Sequence, residues 1–379
     1  MMLRLSKRSG LCPRCLMIEN VEKLGNFPVG GGTFGDVWRG KIGKRTFVCL
    51  KVVKIYHDSD VQKLLNEYMR EAIVWQQLEH PNLLPFIGVY FMGKNLEQIC
   101  LVSPWMERGN LACYLKDTSR DHVDHYSLVS VNCSNQLCRI SHEISVFQVH
   151  DIASGLLYLH NKKIAHGDLK ALNILITPDG RACIGDFGLS RVIDTYALSV
   201  PTSSMVTQSK GTTSYLSPEL LWSDPPCTSS RSSDIYAFAC VSYEVFTGTV
   251  PFHGFNDGQI IVAVVFEKKH PLRPDSDSTS LNDRMWNIMV DCWNTDPDLR
   301  PLTSEVFARV DDLKGPKADS NTKPGFNLTE IRKNVKYPLF DAAALTRLQT
   351  TIMPTPNLQS ESTVGGEKDN VQGACTSSG

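Results

Sequence analysis

The hydrophobic pattern of this chain changes period along its length, and the order of the changes restricts the folds open to it. From about residue 24 to 55, short apolar segments are punctuated by glycine, as in β-strands. Residues 60–79 switch to helical spacing, with Leu64, Leu65, Tyr68, Ile73, Trp75 and Leu78 on or near one face. His80-Pro81-Asn82 then closes the helix, because the residue before proline is pushed out of the α region. Two further apolar runs, 83–92 and 98–103, read as strands. Beyond Gly109 the pattern is helical at 111–116, 150–161, 230–247, 281–293 and 302–313. A small β-rich lobe carrying one helix therefore precedes a larger, mainly helical one, an α+β arrangement.

Composition narrows the function classes. Lys plus Arg number 39 against 40 for Asp plus Glu, a net charge of −1. That balance excludes a general electrostatic grip on nucleic acid or an anionic membrane, so any phosphate chemistry rests on a few placed cations. The 12 cysteines are scattered, and Cys49, Cys100, Cys183 and Cys240 sit inside apolar runs. They read as reduced thiols of a cytoplasmic protein, since a free thiol in such a run behaves as a small hydrophobe. Cys12-Pro13-Arg14-Cys15 is a lone C-x-x-C, short of the four ligands that structural zinc needs. The densest apolar run, Ile260 to Phe266, is far too short for a membrane span. The basic N-terminus lacks the apolar core of a secretory signal. Residues 1–20 read as an extension and 315–379, rich in Ser, Thr, Pro, Gly and Asn, as a largely disordered tail with one docked stretch near 328–348.

Three motifs carry chemistry. Gly30-Gly31-Gly32-Thr33-Phe34-Gly35-Asp36-Val37 fits G-x-G-x-x-G-x-V, but strand rather than helix follows it, which sets aside a dinucleotide fold. A glycine hairpin between strands lets backbone N–H groups approach phosphates without Cβ obstruction. Lys51, closing the apolar segment Val48-Cys49-Leu50, is a candidate partner cation; alone it reads equally well as the edge lysine of a strand. Glu71 on the following helix can pair with it. The third motif is His166-Gly167-Asp168-Leu169-Lys170-Ala171-Leu172-Asn173, followed by Asp186-Phe187-Gly188.

In order and spacing these elements resemble the catalytic loop and D-F-G of the protein kinases, over about residues 24–314. The resemblance implies a two-lobed kinase fold across 21–314, with a small antiparallel-sheet lobe (21–103) and a mainly helical lobe (104–314). It implies ATP and Mg2+ as cofactors and protein substrates. Asp168 would orient the substrate hydroxyl and accept its proton, and Lys170 would neutralise the transferring phosphoryl group. Asn173 and Asp186 would hold magnesium, and Gly30, Gly32, Gly35, Val37, Lys51 and Glu71 would form the nucleotide site. Val102-Ser103-Pro104-Trp105-Met106 aligns with the segment joining the lobes, which makes Ser103 a small gatekeeper. Pro104 lacks an N–H, but its position offers adenine only a carbonyl, while Met106 supplies the donor. Structural roles fall to His166, Phe187, Gly188, Thr212 of the G-T-x-x-Y segment, Asp234 as a cap on the catalytic loop, and a Glu219–Arg300 ion pair.

The sequence departs from that pattern in two places. Gly167 replaces the arginine that pairs with a phosphorylated activation loop, which implies activity independent of such phosphorylation. Residues 129–148 interrupt what should run from Leu128 almost directly into His150. Val129-Ser130 can be encoded by GTAAGT and Phe147-Gln148 by TTTCAG, the two ends of a spliceosomal intron, so this segment is either an unspliced in-frame intron or a surface loop. Translated, it is expected to loop out or break the helix. Lys170 and Thr212 resemble Ser/Thr-specific kinases; Leu78-Glu79-His80-Pro81-Asn82-Leu83-Leu84, Met106-Glu107-Arg108-Gly109-Asn110-Leu111 and Asp291-Cys292-Trp293 resemble the tyrosine-kinase-like branch, and His166-Gly167-Asp168-Leu169-Lys170 with Pro13-Arg14-Cys15-Leu16 resembles its large fungal group most closely. Ser/Thr hydroxyls are the expected acceptors, with dual specificity open. The competing readings are a pseudokinase scaffold, which should have lost Lys51, Asp168, Asn173 or Asp186, and a small-molecule phosphotransferase, disfavoured by the Thr212–Glu219 peptide-docking segment.

Overall fold

The computed structural model describes residues 13–32, 35–44, 46–53, 61–92, 98–117, 134–187, 191–192, 212–274, 281–314 and 328–337. Six strands form the small lobe's antiparallel sheet: β1 (Val21–Lys23), β2 (Gly30–Gly32), β3 (Gly35–Ile42), β4 (Thr46–Val53), β5 (Gly88–Met92) and β6 (Gln98–Pro104). The order is β1-β3-β4-β6-β5, with β2 also on β3. Alternation assigns the faces. Val48, Leu50, Val52, Cys100 and Val102 fall on one side, sealed with Ile18, Val21 and Ile42 in a separate small core. Their neighbours Cys49, Lys51 and Ser103 therefore face the other way, toward the cleft.

Helix α1 (Val61–Trp75) covers that cleft face and buries Met69, Ala72, Ile73 and Trp75. It stops at Trp75, a turn earlier than its apolar spacing predicts, because Gln77 and Leu78 close 3₁₀-type turns onto Val74 and Trp75. The predicted strand 83–92 likewise begins only at Gly88. Residues 82–84 leave the turn after His80 and pair across to the large lobe, with Leu84 N–H on the Ile184 carbonyl and Ile184 N–H on that of Asn82. This close approach depends on Gly155, where a Cβ would lie 2.7 Å from the Asn82 carbonyl oxygen.

The large lobe opens with a helix, α2, over 111–117, then α3 (Ser134–Asn161). Two short two-stranded antiparallel sheets follow, β7 (Ile164–Ala165) with β10 (Arg191–Val192) and, between them in the chain, the hairpin of β8 (Ile174–Ile176) with β9 (Ala182–Ile184). Next come α4 (Pro218–Leu221), α5 (Arg231–Thr247), α6 (Asp257–Ile261), α7 (Asp283–Cys292), α8 (Thr303–Asp311) and, beyond the lobe, α9 (Leu328–Asn334). Helix α5 is buried on nearly every side from Ser233 to Phe246, with Asp234, Ser242 and Glu244 among its buried residues. Its start is fixed by a capping box between Ser230 and Ser233 and its end by Gly248 at φ 68°. No helix among the described residues is long and apolar enough to cross a membrane.

Two expectations change. Residues 14–20 do not stand outside the domain: Leu16 and Ile18 are buried, and Ile18 N–H bonds the Val89 carbonyl at the sheet edge. The part of 129–148 that is described, residues 134–148, neither loops out nor breaks the helix; it extends α3 toward its N-terminus. It fits there imperfectly. Gln148 is 2% exposed, and its Nε2 finds no hydrogen-bond partner among the described residues. Excising 129–148 would place Leu128 at this point of the helix and Tyr126 in place of Val146. Replacing an unpaired buried amide by an apolar side chain is worth about 1–3 kcal/mol. The excised chain and, independently, Gln148→Leu in the full chain are therefore expected to melt higher, as read by calorimetry. A lower melting temperature in both would establish the segment as a native part of α3.

Candidate active site

The register of the sheet assembles the upper half of the cleft. Val37 stands opposite Lys51 across β3–β4, and Cys49 opposite Ser103 across β4–β6. Lys51 Nζ lies 3.2 Å from Glu71 Oε1 and 2.7 Å from Asp186 Oδ1, tying strand, helix α1 and the D-F-G segment to one cation. Burial works against the Lys51 charge, but Asp186 and Glu71 outweigh it and hold the ammonium above its ordinary pKa. Glu71 is pushed up by burial, with Lys51 opposing the shift. Burial raises the Cys49 thiol to about 11 despite its hydrogen bond with Ser103. Met106 is buried, and its carbonyl accepts from Gly109 N–H, turning the chain out of the cleft.

The lower half is built on a single carboxylate. Asp234, in the first turn of α5, accepts from His166 N–H at 2.7 Å and Gly167 N–H at 2.9 Å. His160 Nε2 sits 2.9 Å from the same group, and its Nδ1 2.5 Å from Thr303 Oγ1. Within the loop thus held, Lys170 Nζ is 2.8 Å from Asp168 Oδ2, and Asn173 Nδ2 donates to the Asp168 carbonyl at 2.7 Å and to its Oδ2 at 3.0 Å. Lys170 also reaches Thr212 Oγ1 at 3.2 Å, which brings the end of the activation segment to the catalytic loop. His166 Nε2 meets the Gly185 carbonyl at 3.0 Å. Phe187 is buried against the Trp75 and His166 rings.

Gly167 has φ 82°, a left-handed conformation that costs any residue with a Cβ about 1–2 kcal/mol. Glycine at this point therefore relieves backbone strain while removing a guanidinium that could answer a phosphate. Turnover is expected to survive phosphatase treatment of the full chain. Loss of turnover would show that a phosphate acts through another cation.

Glu219 and Arg300 meet as a two-pronged pair at 2.8 and 2.7 Å, and Arg300 also donates to the Asn294 and Ser232 carbonyls. Gly188 and the predicted activation loop before Thr212 lie outside the described residues. Sequence reasoning missed three contributors. His160 supports Asp234; its signal was the run Tyr158-Leu159-His160 just before the catalytic loop. Asp151 pairs with Arg181 and caps Ala182 N–H, steadying β8–β9. Arg39 stacks over Phe47 at 4.2 Å and Trp105 at 5.4 Å and reaches Glu107 at 2.5 Å, clasping β3 to the lobe connection. No spacing rule pointed to the last two.

The donor set suits a magnesium nucleotide. Asn173 spends its amide on Asp168, leaving its carbonyl as the ligand atom, and Asp186 adds a carboxylate, both hard oxygens of the kind magnesium takes.

A β-sheet lobe with one cleft helix, a helical lobe, a Lys–Glu–Asp triad and an Asp–Lys–Asn loop define a protein-kinase domain. A family model described as protein tyrosine and serine/threonine kinase matches residues 25–310, and the chain belongs to that family. It is 30% identical over 300 residues to Serine/threonine-protein kinase CTR1 of Arabidopsis thaliana, covering 78% of this chain and 32% of that protein. Kinase suppressor of Ras A of Caenorhabditis elegans is 30% identical over 325 residues, 82% of this chain and 38% of that protein. Serine/threonine/tyrosine-protein kinase HT1 of Arabidopsis thaliana is 28% identical over 306 residues, 79% and 67% respectively. The chain thus spans less than two-fifths of the first two.

Proposed function

We propose that this chain is an active, ATP- and magnesium-dependent kinase of the tyrosine-kinase-like branch that phosphorylates Ser/Thr hydroxyls of cytoplasmic protein substrates. The observation that carries the reading is the convergence of Lys51, Glu71 and Asp186 on one side of the cleft with Asp168, Lys170 and Asn173 on the other. Asp168 receives the acceptor's proton, its carboxylate steered by Asn173 and Lys170. Lys170, bridging Asp168 and Thr212, places positive charge where the phosphoryl group passes and ties that charge to the substrate-docking segment. Lys51, held protonated, steadies phosphate oxygens beneath the glycine hairpin. Magnesium bound at Asn173 and Asp186 supplies neutralisation of the phosphate charge. The rate then comes from positioning and electrostatics, with no covalent enzyme intermediate. The test is ³²P transfer from ATP to Ser-, Thr- and Tyr-containing peptides by the full chain, set beside Asp186→Asn. Label on Ser/Thr that disappears in the variant supports the reading; ATP binding without transfer favours a pseudokinase.

Ser103, 3% exposed at the back of the cleft, is the small gatekeeper of this reading. Bulky ATP-competitive inhibitors are expected to bind well and to lose potency by about 10- to 200-fold in Ser103→Met, measured as inhibition constants at fixed ATP.

A further inference from the structure

Helix α9 follows the large lobe in sequence but packs on the small one. Val335, 7% exposed, enters the small core with Ile18, Val21, Ile42, Val48 and Leu50, and Ile331 packs against the same group. The next residue adds a strand-like link: Glu19 N–H bonds the Lys336 carbonyl at 2.8 Å, in an antiparallel bridge. Asn334 Nδ2 lies 3.3 Å from Thr46 Oγ1 and its Cβ against the Gly43 turn between β3 and β4. The seat is therefore assembled from three separate pieces: the segment before β1, β1 itself and the β3–β4 turn. All three belong to the root of the glycine-rich hairpin. Val21 pairs with Ile42 there, and β3 runs unbroken from Ile42 to Gly35 at the phosphate end.

From this we propose that residues 328–337 are an intramolecular brace for the glycine-rich hairpin, and that release of this segment from its seat is a means of weakening nucleotide binding. The inference rests on the reading of the cleft as an ATP site. The seat fits a short helix with an isoleucine and a valine one turn apart, followed by one residue in strand conformation. The chain's own segment is the favoured occupant because tethering raises its local concentration to the millimolar range. Without it, a small core loses two aliphatic side chains and the Glu19 N–H loses its acceptor, so the root of the hairpin loosens. A looser hairpin must be ordered when nucleotide binds, and that ordering is subtracted from the affinity. None of the residues that handle phosphate is touched.

The test compares the full chain with Ile331→Asp/Val335→Asp and with a chain ending after Lys314. Magnesium–ATP affinity is read by calorimetry, which does not depend on turnover. Both altered chains are expected to bind ATP about tenfold more weakly, with faster hydrogen exchange at 18–23 and 40–48 but not in α5. A synthetic peptide of residues 326–340 added to the truncated chain is expected to restore the affinity. Unchanged ATP affinity in both altered chains overturns the proposal, whatever happens to their melting temperatures. So does a peptide that fails to bind, or a truncation whose exchange rises equally in α5. If the unaltered chain binds no ATP, the reading of the cleft fails rather than the brace. If the paired substitutions instead dissociate a dimer, the seat is filled by a second copy and the intramolecular brace is wrong.

Discussion

Asp186→Asn is expected to lower kcat by about 10³-fold or more while leaving the fold intact. One carboxylate oxygen is exchanged for an amide, so the segment loses its proposed magnesium ligand and Lys51 loses its nearer partner at 2.7 Å. Removal of one preorganised electrostatic contact in an active site typically costs 10²–10³-fold, and here two functions leave together. Glu71 still holds Lys51, so the lysine is not left unpaired in the cleft. Steady-state kinetics with a Ser/Thr peptide, beside a melting curve, separate the two effects. Retained turnover at the parent rate would sink the mechanism.

Glu219→Ala is expected to destabilise the large lobe by about 3–5 kcal/mol, well beyond the loss from breaking an exposed ion pair such as Arg284–Asp312. The Arg300 side chain is fully buried, and Glu219 supplies both of its charge-bearing contacts. Removing the carboxylate leaves a buried guanidinium with no counter-charge in contact, only carbonyls and the Tyr236 ring. Urea denaturation measures the loss. The same pair sets a pH dependence. Burial works against the Glu219 charge, but hydrogen bonds and charge from Arg300 outweigh it and hold its pKa below the ordinary 4.5. A depressed carboxyl contributes stability that is complete above the unfolded value and lost as pH falls through the folded one. Asp151, likewise held below its ordinary range against its burial by His150 and Arg181, adds to the same slope. Stability should therefore decline below about pH 4.5, and less steeply in Glu219→Gln; a parallel decline in both chains would remove Glu219 from the account.

The motif residues were legible as two groups because each belongs to a short, ordered pattern: Lys51 lies against Asp186, and Asp168, Lys170 and Asn173 meet within one loop. Helix type was legible from apolar spacing, but helix ends were not. Trp75 ends α1 because local 3₁₀ bonds and the Leu84 carbonyl, which accepts from its indole at 2.6 Å, take over there. The Arg39–Trp105–Glu107 clasp and the Asp151–Arg181 pair join residues far apart in the chain through side-chain contacts that no local spacing encodes. Of the docked stretch expected near 328–348, residues 338–348 lie outside the described residues, and the seat of 328–337 was not legible, since a valine and an isoleucine do not name the surface that covers them.

The backbone pairing of residues 82–84 with Ile184 has a mechanical consequence. By sequence the small lobe runs to residue 103, yet this piece is hydrogen-bonded into the large lobe, with Asn82 Nδ2 donating to the Ala182 carbonyl at 3.1 Å. The end of α1 is thus pinned to the large lobe through Trp75 and Leu84. If the lobes rock, the pin acts as a fulcrum. Glu71, one turn from it, sweeps a short arc, while the glycine hairpin at the far edge of the sheet sweeps a long one. The arm nearest the fulcrum carries the carboxylate paired with Lys51, and the longest arm carries the hairpin that, on the proposed function, would lift to admit a nucleotide and release the product.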